Sequence, residues 1–353
     1  MGNQNTTQEP TPFQKLKDLP IPLWQSQCVF YKHELLVCGG YEERNCYSYH
    51  TLKNEYKFIC SYPNDVKLNG HCVVKLVDDN DSNKITLLSF GGRYGHTLVM
   101  KYVSIWDNDI KKNKLNDYYK WIPFTNKNNY PINISSDFYQ GARAVIGGSN
   151  NHLLFITYGP NNINVFDLNK FQYIKYDTLP TDNRIAFHCF VSKPENRQEI
   201  IKENNKKNVE MILFCFKTGL LIEYNEDNNT FQFCQIPVSN DIEQLYKYAC
   251  ICINDSIFFF GGWNYNDTTT SKLVQKYSIQ ENTWITFKYT LHIPLYSCFG
   301  ILNEDNTHIH IIGGSDDKNT IVSVHMKTRV NEWRELVIFF FFFFALFLKI
   351  KYK

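Results

Sequence analysis

The chain has no charge of one sign to spare: 37 basic residues stand against 35 acidic ones over 353 positions, a net charge of +2. That balance offers no electrostatic footprint for nucleic acid or an anionic membrane surface, so neither is expected as a partner. The eleven cysteines form no spaced framework, and Cys38, Cys72, Cys189, Cys215, Cys250, Cys252 and Cys298 lie singly inside apolar segments. An odd count of scattered thiols, with no secretory signal before Pro10, points to reduced cysteines and a cytoplasmic protein. The sequons at Asn133, Asn228, Asn254 and Asn266 are then chance matches. G-x-S-x-G and P-loop motifs are missing, and no carboxylates pair in a turn. Gly91-Gly92-Arg93-Tyr94-Gly95-His96 has the glycines of a phosphate loop, but neither its Lys-Ser/Thr end nor a helix pattern after it.

A run of roughly twenty apolar residues, enough for a spanning helix, is also lacking. Val337 to Leu348 comes nearest, with twelve apolar residues that include six consecutive Phe, followed by Lys-Ile-Lys-Tyr-Lys. Without alternation it makes a poor core strand and an aggregation hazard. It reads as a non-native or degenerate end outside the fold, the alternative being a short interfacial or tail-anchor segment. At the other terminus Met-Gly-Asn-Gln-Asn-Thr fits the N-myristoylation pattern, with Gly2 as the acylated residue. One such chain gives only marginal membrane affinity, and no basic cluster or neighbouring cysteine adds a second signal.

What the chain does have is aromatic residues, 16% of the total, which suit pleated, half-buried strands. They recur in a unit. Ile257-Phe-Phe-Phe-Gly261-Gly262 is followed by a polar loop, then by Tyr277 and, seven residues later, Trp284. Gly39-Gly40 precedes Tyr49 and Tyr56, and Gly91-Gly92 precedes Val103 to Asp107, the segment expected to fill the Tyr strand with Trp106. Asn108 to Asn116 reads as a turn insertion before Trp121. Weaker copies carry Phe166 with Tyr173 and Tyr224 with Phe231, and the last has Gly313-Gly314, Met326 and Trp333. Positions 40, 92, 160, 217, 262 and 314 mark six copies, a period near 50 residues.

This unit resembles the kelch repeat, one blade of a β-propeller of the galactose oxidase-like superfamily. The resemblance implies an all-β, six-bladed propeller with four antiparallel strands per blade. The glycine pairs then have a steric role at the end of the second strand. Tyr277 and Trp284 meet across a turn in the layer between blades. Phe13 to Leu19, within Phe-x-x-Leu-x-x-Leu-Pro-x-Pro-Leu, looks like the end of a repeat whose beginning is missing, a closing strand from the N-terminus. The domain boundaries expected are a disordered leader over 1–12, one propeller over 13–336 and the apolar tail over 337–353.

The expected function is a non-catalytic, monomeric scaffold or adaptor that presents propeller loops to a protein partner and holds no cofactor. Its anchors should come from the loops after the glycine pairs: Arg44, Arg93, Trp263 and Tyr265, since Trp, Tyr and Arg dominate interface energetics. Nothing before Phe13 reads as a BTB or F-box module, so an adaptor role in ubiquitination would need a second chain. The alternative is an enzyme with its site at the channel mouth, such as a copper-radical oxidase. His308-x-His310 and Cys250-x-Cys252 each put two metal-binding side chains on one strand face, but no third ligand accompanies either, and packing explains both.

Overall fold

The computed structural model of the chain describes residues 11–77, 83–107, 117–135, 138–194 and 208–333. Among these the architecture is six blades, each a sheet of four antiparallel strands, arranged as a β-propeller. Blade one comprises Gln27–Tyr31, Glu34–Gly40, Glu43–His50 and Glu55–Ser61. Blade two comprises His71–Leu76, Ile85–Gly91, Thr97–Tyr102 and Ile122–Pro123, and blade three Arg143–Gly147, Leu153–Tyr158, Asn162–Asp167 and Gln172–Thr178. Blade four follows with Cys189–Ser192, Asn208–Cys215, Thr218–Asn225 and Thr230–Gln235, then blade five with Ala249–Ile253, Ser256–Phe260, Val274–Ser278 and Thr283–Thr286. Blade six takes Phe299–Leu302, His308–Ile312 and His325–Arg329 from the end of the described chain and its outer strand, Phe13–Lys15, from the beginning. The first strand of every blade touches the first strands of both neighbours, so these six strands ring the axis.

The core is divided to match. Six separate apolar clusters are present, one between each pair of adjacent blades. A sheet that alternates its side chains between two faces can bury both only if a blade stands on each side, which is why the ring must close. The aromatic pairs seven residues apart lie in these layers. Tyr49↔Tyr56, Phe166↔Tyr173, Tyr224↔Phe231 and Tyr277↔Trp284 are direct cross-strand partners, with ring centroids 4.8, 5.1, 4.8 and 5.2 Å apart.

Two repeats depart from the pattern expected of them. In blade two the third strand ends at Tyr102 before reaching Val103, and Tyr102 opposite Ile85 takes the Tyr place. Trp106 instead packs over blade one, its Nε1 donating to Ser48 Oγ at 2.9 Å. In blade six Trp333 lies in a 3-10 turn over Val330–Trp333 and not on a fourth strand, because the N-terminal segment already fills that edge. Its ring still packs 5.5 Å from Phe13 and 6.0 Å from Phe260. The closing segment continues past its strand: Leu16 and Leu19 donate backbone bonds to His325 and Ser323. The insertion at 108–116, Gly2 and the 337–353 tail lie outside the described residues.

The glycine pairs do their work on the next connection. Gly262 donates its N–H to Leu295 O at 2.8 Å and Gly314 donates to Leu23 O at 2.7 Å. Backbone crowding is the reason for glycine here: a Cβ on Gly261 would lie 2.2 Å from Leu295 O, and one on Gly313 2.2 Å from Leu23 O. Gly92 likewise donates its N–H to Tyr139 O, at 3.2 Å, and a Cβ on Gly91 would lie 3.1 Å from Tyr139 Cβ.

Candidate functional site

All the connections that enter a first strand, and all the turns that follow a glycine pair, lie at one end of the ring. There the six entering connections share a backbone feature. Gln25, Gly70, Gly141, Phe187, Lys247 and Ser297 all have positive φ, between 51° and 74°, the left-handed conformation that L side chains rarely adopt. Each stands one or two residues before the first strand of its blade. Backbone hydrogen bonds join them in two arcs around the axis. Phe187 N–H donates to Gly141 O and Gly141 N–H to Gly70 O, both at 2.8 Å; Gln25 N–H donates to Ser297 O at 2.9 Å and Ser297 N–H to Lys247 O at 2.7 Å.

Inside this ring is a small axial cavity of about 20 Å³, lined among others by Gln25, Ser26, Arg143, Phe187, Lys247 and Ser297. Arg143 and Lys247 bring two positive charges and the lining has no carboxylate. The Arg143 guanidinium lies 5.8 Å from the Phe187 ring centre and donates to Ala142 O at 3.0 Å. The Lys247 ammonium lies over four rings, Phe187, Tyr246, Trp263 and Tyr296, at 5.0 to 6.0 Å. Burial among these rings holds its pKa below the ordinary lysine range.

Around the cavity an arc of aromatic rings crosses four blades. Phe216 of blade four stands 5.3 Å from Tyr246, which is 5.3 Å from Trp263 of blade five. Trp263 reaches Tyr296 at 6.4 Å, Tyr296 reaches Trp24 at 6.1 Å, and Trp24 reaches Tyr41 of blade one at 5.1 Å. Tyr265, 66% exposed, extends the arc outward from Trp263.

The four anchors expected from the sequence therefore separate. Trp263 and Tyr265 stand together in the arc, Trp263 half-buried. Arg93 is exposed beside a different groove, of about 420 Å³, formed with Tyr94, His96, Ile132 and Asn133. Behind that groove Tyr62 donates to Ser89 Oγ, which bonds His96 Nε2 at 2.8 Å, and burial with His71 nearby lowers the His96 pKa to about 3. Arg44 is half-buried and donates to Asn64 Oδ1 at 2.6 Å, which ties it to its own blade. Sequence reasoning missed Arg143, Lys247, Tyr246, Tyr296 and Trp24. Lys247, Tyr246, Tyr296 and Trp24 sit in the connections that enter the first strands and Arg143 opens the first strand of blade three; at the positive-φ position of these connections no two copies carry the same residue except for the glycines of blades two and three.

The two paired motifs have the following neighbours. His310 is buried and bonds His325, Nδ1 to Nε2, at 2.9 Å, while His308 faces Thr307. Cys250 lies beside Cys189 of the neighbouring blade. Among the described residues no three His, Cys, Asp or Glu side chains are gathered in a metal-binding arrangement, and no helix is long and apolar enough to cross a membrane.

No family model and no curated protein matches the chain. Among solved structures, one titled "Structure of YjhT" aligns with a TM-score of 0.58 over 88% of this chain and 95% of that one, at 12% identity. At that identity the likeness is one of fold; by its own sheets the chain is a six-bladed β-propeller.

Proposed function

We propose that this propeller is a non-catalytic interaction scaffold of the kelch type, which offers its loop end to a protein partner. The kelch reading rests on the glycine pairs of blades one, two, five and six and on the aromatic pairs seven residues apart. The observation that carries the binding role is the aromatic arc from Phe216 to Tyr41. Half-buried and exposed Trp and Tyr side chains bring large contact area at small conformational cost, and such residues dominate interface energetics. Arg93 and its groove would take a second contact on the blade-two side. The eleven free cysteines suit a reducing compartment.

The test compares the full chain with a Trp263→Ala/Tyr265→Ala double variant and with Arg93→Glu as bait, reading the captured proteins by mass spectrometry. A defined set of partners should be lost from the double variant and weakened with Arg93→Glu. An unchanged set would remove the loop end from consideration. A propeller enzyme at the channel mouth is the rival, and stoichiometric copper or zinc in the purified protein would favour it over the scaffold.

A further inference from the structure

We infer that the axial cavity is a binding site for a single carboxylate group. Three observations converge on it. First, Arg143 and Lys247 both lie over the Phe187 ring, and among the described residues neither is in an ion pair. The cavity lining supplies neither charge with a carboxylate, which leaves the counter-charge to a ligand. Second, Gln25, Ser26 and Ser297 line the same cavity; Gln25 Oε1 and Ser297 Oγ have no hydrogen-bond partner, and Ser26 Oγ has only the Cys28 thiol beside it. Their residues are 8%, 1% and 6% exposed, and buried polar atoms in native folds almost always have a partner. All three side chains can donate: the serines through O–H, and Gln25 through its N–H₂ once the amide is turned over. Third, the left-handed backbone at Gln25, Lys247 and Ser297 fixes these side chains on the cavity wall from consecutive connections.

A lining with two cations, three potential donors and no acid selects a negative oxygen ligand. The guanidinium favours a planar, two-oxygen partner, to which it can donate two parallel bonds. Size limits the choice further. A space of about 20 Å³ holds one water-sized or carboxylate-sized group and not an entire metabolite. The ligand therefore inserts its acidic end and leaves its remainder among Trp263, Tyr246 and Tyr296 outside. A small free carboxylic acid and a Glu or Asp side chain of a protein both meet this description. The site stands whether or not the loop end binds a protein.

The experiment titrates the full chain with sodium acetate against sodium chloride at constant ionic strength, following intrinsic Trp fluorescence and calorimetric heat. The same titration is made with a terminally blocked Gly-Glu-Gly peptide and its Gly-Gln-Gly counterpart. Saturable binding of acetate or of the Glu peptide, absent for chloride and the Gln peptide, is expected. Acetate alone would identify a free acid as the ligand, and the Glu peptide alone a side chain carried by a partner. Arg143→Gln and Lys247→Gln should each raise Kd tenfold or more, with far-UV circular dichroism confirming that each variant is folded. Arg143→Lys, which keeps the charge and loses the fork, should fall between. Equal binding of the Glu and Gln peptides together with no saturable acetate binding overturns the proposal on the unaltered protein, with no variant required. Unchanged affinity in folded Arg143→Gln and Lys247→Gln variants overturns it as well.

Discussion

At the scale of single residues, the buried histidines set how the protein responds to acid. His71 is lowered to about 4, and His96 and His310 to about 3, from an ordinary 6.5, in each case chiefly through burial. His188 and His325 are lowered well below that value for the same reason. In the folded chain these rings stay neutral where the unfolded chain would bind protons. Their contribution to stability is therefore complete above pH 6.5 and is lost as pH falls toward their folded values. While a ring remains neutral in the fold and charged outside it, each pH unit removes about 1.4 kcal/mol. Melting temperature should thus hold level from pH 7.5 to about pH 6.5 and then drop steadily toward pH 4.5, a window above the ordinary carboxylate range. A flat profile there would show that these rings are not buried as described. None of this was legible from sequence, where His308-x-His310 looked like one face of a strand. The partner of His310 is His325 on the adjacent strand, and Tyr56 of the next blade bonds His325 at 2.6 Å, contacts that only the assembled ring creates.

At the scale of the strand and turn, much could be read from the chain, and one regular signal went unnoticed. Tyr49, Tyr224 and Tyr277 each donate to the Oδ1 of the asparagine five residues on, Asn54, Asn229 and Asn282, at 2.8, 2.7 and 2.6 Å. Each asparagine has φ between 52° and 56°, the left-handed turn position that asparagine tolerates best. The full unit is therefore Tyr-x₄-Asn-x-aromatic, and the asparagine sets the turn that brings the two rings opposite each other. The glycine pairs were legible because sterics leave no other residue. A Gly261→Ala substitution places a Cβ 2.2 Å from the Leu295 carbonyl oxygen at φ +65°. Neither backbone can yield without moving the connection into blade six. Gly39→Ala, at φ +62°, meets the end of the Leu68 side chain at 2.4 Å, which can turn aside, and a carbonyl oxygen, that of Glu43, only at 3.0 Å. We expect Gly261→Ala to cost roughly 2 kcal/mol or more and Gly39→Ala distinctly less, as measured by thermal melting. Equal losses would show that the left-handed backbone alone, and not the contact with Leu295, requires glycine.

At the scale of the whole molecule, the ring is held shut by a short strand from one end of the chain. Phe13, Gln14 and Lys15 pair with Thr328, Lys327 and Met326, and Phe13 fills the layer between blades five and six beside Phe260 and Trp333. This was legible because Phe13, Leu16, Leu19, Pro22 and Leu23 follow the same order of residue types as Trp284, Phe287, Leu291, Pro294 and Leu295. The mouth of the channel was not, since its residues come one from each blade and share a backbone conformation without sharing a residue type. Removing residues 1–19 should expose the edge of His325–Arg329 and the Phe260–Trp333 layer together. Melting should fall by roughly 5 °C or more and broaden, whereas removing residues 1–10 should leave it unchanged. If the longer truncation melts like the full chain, the strand is not what closes the ring.

Closure by the N-terminus also imposes an order on synthesis. Of the described propeller strands, the one synthesised first pairs with the one synthesised last. At about 5 to 20 residues per second, it waits on the order of 20 to 60 s for Arg329 to appear. Through that interval the first five blades can stack while the ring stays open as an arc. Two arcs on neighbouring ribosomes each hold a free first strand and, later, a free last edge, so each can complete the other's sixth blade in place of its own. The same pairing that makes one chain a ring is therefore its most direct route to an exchanged dimer, favoured when translation is crowded and suppressed when each chain finishes alone.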